Sequence, residues 1–98
     1  MKATELLRRR IAYSASAFAE LVLWQVPTPL SGSKHSYKYR LAYVVDGVCI
    51  LRYDNESGKG DHRHYKGLEQ NFEFGGVDQL LSAFKQDIER INSENGNS

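Results

Sequence analysis

The sequence predicts an α+β fold: an antiparallel sheet of about four or five strands with a C-terminal amphipathic helix packed on one face. Three observations carry that expectation. Asp46-Gly47 sits between two runs of strand-forming residues, and this dipeptide suits a type I′ turn, where both central residues need positive φ. Val77, Leu80, Leu81, Phe84, Ile88 and Ile91 recur at helical spacing. Pro27, Pro29 and Gly75-Gly76 break the chain between these units.

Thr4 to Tyr13 reads as a first strand with arginines on both faces, which suits a sheet edge where charge discourages aggregation. A short helix over Ala12 to Glu20 is the competing reading, and Ser14 to Ala17 the expected turn. Phe18 to Val26 is a second strand, apolar on both faces, so both faces should be covered at least in part. Leu30 to Ser36 reads as a polar loop in which His35 is exposed and idle.

Tyr37 to Val45 and Val48 to Asn55 form the hairpin. A two-residue loop without irregularity sets Val45 opposite Val48, Val44 opposite Cys49, Tyr43 opposite Ile50, Leu41 opposite Arg52 and Tyr39 opposite Asp54. Tyr37, Tyr39 and Tyr43 share a face, and Tyr43 is expected to pack against the helix. Cys49 reads as a core residue, and Trp24 as a core or interface residue. Gln70 to Phe74 is a short final strand, and Val77 to Ile91 the helix, with Asp78 and Arg90 placed to suit its dipole. Residues 1–91 therefore form one domain, and 92–98 a disordered polar tail.

The composition, 41% hydrophobic and 26% charged, excludes a disordered or membrane-embedded chain. No apolar run approaches the roughly 20 residues a bilayer span needs. Arg8-Arg9-Arg10 interrupts the only apolar start that a signal peptide could use. The single cysteine cannot form an internal disulfide. Together these point to the cytoplasm. The net charge of +1 conceals a balance of +5 over residues 1–66 and −4 over 67–98, compatible with an anionic partner on one face.

The segment 51–67, LRYDNESGKGDHRHYKG, concentrates the chemistry. RNA cleavage needs a base for the 2′-hydroxyl, an acid for the leaving oxygen and cations for the phosphorane. Histidine titrates near neutrality and serves as either acid or base. His62 and His64 are thus the candidate acid–base pair, Arg63 and Lys59 the candidate cations, and Asp61 the residue that orients a histidine. If the loop is extended, His62 and His64 point one way, and Asp61, Arg63 and Tyr65 the other. Arg52, Tyr53 and Asp54 would support the pair from behind, with Lys66, Arg40 and Lys38 binding nucleic acid. No cofactor is needed in this reading. The alternative is a divalent metal held by Asp61, His62 and His64, completed by Asp54, Glu56 or His35. A third reading is anion binding without catalysis.

The run YRLAYVVDGVCILRYDNESGKGDHRH, followed by a phenylalanine-bearing strand and a terminal helix, resembles the TumE family of toxins from toxin–antitoxin pairs. The resemblance covers most of the chain. Its most specific part is Tyr53, Asp54 and Asn55 followed by Lys59, Gly60, Asp61, His62, Arg63 and His64. It implies a bacterial, cytoplasmic growth inhibitor. It also implies a cognate antitoxin that carries a DNA-binding domain. RNA cleavage is expected by analogy with small toxins as a class. The rival expectation is a non-catalytic binder of nucleic acid or protein that regulates its operon. An isologous homodimer through uncovered sheet surface is a further expectation.

Overall fold

A computed structural model describes residues 2–94. Six strands form one antiparallel meander, each paired with its chain neighbour: β1 (Thr4–Ser14), β2 (Ala17–Gln25), β3 (Tyr37–Val45), β4 (Val48–Glu56), β5 (Gly60–Tyr65) and β6 (Leu68–Asn71). Helix α1 (Val77–Glu94) follows. The α+β class holds, with one strand more than expected. The additional strand is β5, which forms from residues that read as a loop. The final strand ends before Phe72, and the 12–20 stretch is strand and turn with no helix.

One face of the sheet carries the core. Ala19, Leu21 and Leu23 of β2, Tyr39, Leu41 and Tyr43 of β3, and Leu51 and Tyr53 of β4 pack against Leu80, Phe84, Ile88 and Ile91 of α1. The apolar stripe read from the sequence is this helix face. Tyr43 donates to Asn92 Oδ1 at 2.6 Å, which ties the last turn down. The helix therefore runs past Ile91, because Asn92 has a partner on the sheet. Residues 92–94 are helical, and the rest of the expected tail lies outside the described residues. Tyr39 and Tyr43 are buried here, which removes them as platforms for bases.

Asp46 and Gly47 have φ of 51° and 79°, as a type I′ turn requires. Val45 faces Val48 and Val44 faces Cys49, as expected, but the register then shifts. Ile50 has no partner, and Tyr43 pairs with Leu51, Leu41 with Tyr53 and Arg40 with Asp54. A bulge of this kind moves every later side chain to the opposite face. Leu51 and Tyr53 thereby join the core, while Arg52 and Asp54 turn to the face without a helix. The bulge also leaves Cys49 exposed near the turn, not in the core. Trp24 is half-buried on the helix-free face.

The 26–36 segment is tied down at both ends. Val26 N–H donates to Ser36, and Gly58 N–H of the β4–β5 turn donates to the Ser31 carbonyl. Among the described residues no helix is long and apolar enough to cross a membrane.

Candidate functional site on the helix-free sheet face

The sequence that read as one reactive loop is divided by β5 between the two faces of the sheet. Strand alternation sends His62 and His64 to the helix-free face and Asp61, Arg63 and Tyr65 to the helix side. Two hairpin turns set this register. Glu56 pairs with Gly60 around Ser57, Gly58 and Lys59, and Tyr65 pairs with Leu68 around Lys66 and Gly67. Lys66 and Gly67 have φ of 51° and 79°, a second type I′ turn.

On the helix-free face the cross-strand pairs are Arg40 with Asp54 and Asp54 with His62, and beside them Arg52 with His64 and His64 with Glu69. The two imidazole centroids lie 6.5 Å apart. His62 Nε2 faces the Lys59 carbonyl at 2.7 Å, so that nitrogen carries a hydrogen. Its Nδ1 lies 3.0 Å from Glu69 Oε1, off the hydrogen-bonding direction. That nitrogen is buried and has no hydrogen-bond partner among the described residues. His64 Nε2 lies between two carboxylates, 3.7 Å from Asp54 Oδ1 and 3.9 Å from Glu69 Oε1. Arg52 Nε stands 3.0 Å from Asp54 Oδ2. Next to this cluster, Lys38, Arg40 and Arg52 line a cleft of about 400 Å3. Lys38 Nζ also reaches the Asn55 carbonyl at 3.4 Å. Arg40 is exposed and in no ion pair among the described residues.

On the other face, Arg63 Nε donates to Asp87 Oδ2 of α1 at 2.7 Å, and Tyr53 donates to the same oxygen at 2.5 Å. Arg90 Nη2 reaches Asp87 Oδ1 at 2.7 Å. Burial raises the Tyr53 phenol, and the hydrogen bond to Asp87 and the carboxylate charge add to it; the hydroxyl is pushed up to about 12. Burial by itself would raise the Asp87 carboxyl, but the bonds from Arg63 and Tyr53 outweigh it and hold it below the ordinary carboxylate value. Burial would likewise lower Arg63, and Asp87 more than offsets that, so its guanidinium stays charged. Arg63 and Tyr53 thus join sheet to helix and do not meet the histidines.

Asp61 does orient a histidine, but it is His35. His35 Nε2 lies 2.9 and 3.1 Å from the two Asp61 oxygens, and its Nδ1 accepts from Tyr37 N–H at 3.1 Å. The Tyr39 hydroxyl donates to Asp61 Oδ1 at 2.9 Å. Burial, first, and this bond hold the Tyr39 phenol well above the ordinary value. The ring of His35 stacks on Phe74 with centroids 3.9 Å apart. His35 is therefore a half-buried structural residue and not an idle one, because the 26–36 segment folds back onto the β4–β5 hairpin. Asp61, His62 and His64 do not converge on one point. Among the described residues, no group of three or more His, Cys, Asp and Glu side chains is arranged to hold a metal ion. Lys59 and Lys66 are exposed on the two flanking turns.

Glu69 and Asn71 went unnoticed in the sequence. The signal was present in Lys66-Gly67: read as a two-residue turn, it places Glu69 opposite His64 and Asn71 opposite His62.

A family model described as Toxin TumE matches residues 2–92 of the chain. No curated protein and no solved structure matches it significantly.

Proposed function

The chain belongs to the TumE toxin family, and we propose that this toxin acts by cleaving RNA through acid–base catalysis on the helix-free face of its sheet. One observation supports the reading above the others: two imidazoles 6.5 Å apart sit between carboxylates and beside a cleft lined by Lys38, Arg40 and Arg52 together with Asp54 and Glu56. The Glu69 carboxylate reaches both rings through one oxygen, so a phosphate bound between them would displace it. In this reading one histidine takes the 2′-hydroxyl proton, the 2′-oxygen attacks phosphorus, and the other histidine protonates the departing 5′-oxygen. The products are a 2′,3′-cyclic phosphate and a free 5′-hydroxyl.

The cations for the phosphorane are Arg52 and Arg40, with Lys38 behind them, since Arg63 is committed to Asp87. Asp54 and Glu69 flank the rings without hydrogen-bonding to them. His62 Nε2 is held by the Lys59 carbonyl, and its side chain is the less exposed of the two. A cognate antitoxin with a DNA-binding domain would restrain the activity, and the cytoplasm would be its setting.

The test is cleavage of total RNA by the purified chain, with and without chelator. His64→Ala and His62→Ala should each lower the rate by about 10²–10⁴-fold, the usual share of a positioned acid or base. Folding and RNA binding should persist in both. RNA left intact by the wild-type protein under all conditions would refute catalysis and leave a toxin that acts by binding. Activity lost in chelator and restored by one divalent ion would replace the metal-free scheme.

A further inference from the structure

A cavity of about 400 Å3 opens at the Gly60 end of β5, where the 26–36 segment meets the β4–β5 hairpin and Asp61 faces the helix side. This volume lies within the range of ligand pockets. Two residues join it to the site. Lys59 lines it and gives its carbonyl to His62, and Asn71 lines it and pairs with His62 across the sheet. The backbones of Gly32 and Gly60 form its wall. A Cβ on Gly60 would come within 3.2 Å of the Gly32 carbonyl oxygen, so the two backbones pack closely there and a side chain would push them apart.

The lining divides by chemistry. Phe74 is half-buried and held by its stack on His35, which presents a fixed aromatic surface. Lys34, Lys59 and Glu73 are exposed, and none is in an ion pair among the described residues. The Asp61 carboxylate, by contrast, is occupied by His35 and Tyr39. Glu73 is thus the carboxylate in the cavity with both oxygens open to a ligand.

Building on the ribonuclease reading, we propose that this cavity holds the base adjoining the scissile phosphate and selects guanine through Glu73. Single-stranded bases are recognised by stacking on aromatic rings and by hydrogen bonds to their Watson–Crick edges. Guanine presents two adjacent donors there, N1–H and the 2-amino group, and a carboxylate accepts both at once. Adenine and cytosine present a donor beside an acceptor, and uracil a single donor between acceptors, so each sets a lone pair against the carboxylate. Lys34 and Lys59 supply donors for O6 or for a flanking phosphate.

The experiment titrates guanosine, inosine and adenosine 3′-monophosphates into the full-length protein, followed by NMR of the His35 and Phe74 ring signals. Guanosine monophosphate should bind about 5–150-fold more tightly than adenosine monophosphate, the discrimination of one bidentate pair. Inosine monophosphate, which lacks the 2-amino group, should fall between them. Glu73→Gln should erase the difference without moving the urea midpoint. Equal binding of the guanine and adenine nucleotides to wild type, or shifts confined to residues away from His35 and Phe74, would overturn the proposal. The readout is binding, so a chain that never cuts RNA would sink the catalytic reading alone. A chain that cuts RNA beside all four bases equally would sink this one alone.

Discussion

Replacing Arg63 with methionine should cost stability and leave the histidine site in place. Arg63 and Asp87 side chains are 17% and 9% exposed, and they carry the contact between β5 and α1 with Tyr53. Removing one partner of a fully buried ion pair costs about 3–5 kcal/mol, and a single hydrogen bond to a charged group about 1.5–3 kcal/mol. The pair here is partly screened, and half-exposed Arg90 still faces Asp87. We therefore expect Arg63→Met to cost about 2–4 kcal/mol, measured by urea unfolding. The cost depends on pH in a defined direction. Asp87 is held below its ordinary value when folded, so its contribution is full above the unfolded carboxylate value of about 3.9 and fades as pH falls through the lower folded one. The gap between wild type and variant should be widest near neutrality and shrink toward about pH 2. The reasoning fails if Arg63→Met leaves the midpoint unchanged at neutrality. It also fails if the folded variant loses RNA cleavage as completely as His64→Ala, since Arg63 would then act at the phosphate.

Four further outcomes follow from the geometry. Alkaline titration of tyrosine absorbance should lag behind that of six free phenols, and Tyr53→Phe should remove a component near 12. Ile88→Ala, a fully buried contact of helix and sheet, should cost about 2–5 kcal/mol in urea unfolding. Tyr43→Phe should cost about 0.5–1.5 kcal/mol by the same measurement and loosen the last turn of α1, read by amide exchange. Gly60→Ala should destabilise by about 1–2 kcal/mol, because its φ of +79° disfavours any side chain, and should weaken nucleotide binding in the adjoining cavity.

The sequence made plain those features that repeat a period or a turn rule. The helix stripe from Val77 to Ile91 and the Asp46-Gly47 hairpin are of that kind, and alternation alone separated His62 and His64 from Arg63. Ile50 was not legible. Nothing in Val48-Cys49-Ile50-Leu51 announces an extra residue, and that residue decides which face of the sheet Asp54 and its partner His62 occupy. The partner of Asp61 was hidden for a different reason. His35 arrives from a segment without periodicity, and only the close packing of Gly32 against Gly60 brings it there. Arg63 was misread because a guanidinium between two histidines has no local mark of the carboxylate it pairs with, 24 positions later.

Each strand of the meander pairs with the one next to it in the chain, so the sheet can grow strand by strand in chain order. The strands that bear Asp54, His62, His64 and Glu69 lie in the later part of the chain, and the helix that seals their opposite side comes after them. In synthesis β1, β2 and β3 are made before the strands that bear this cluster, so the helix-free face that carries it is completed after the sheet has already begun to form.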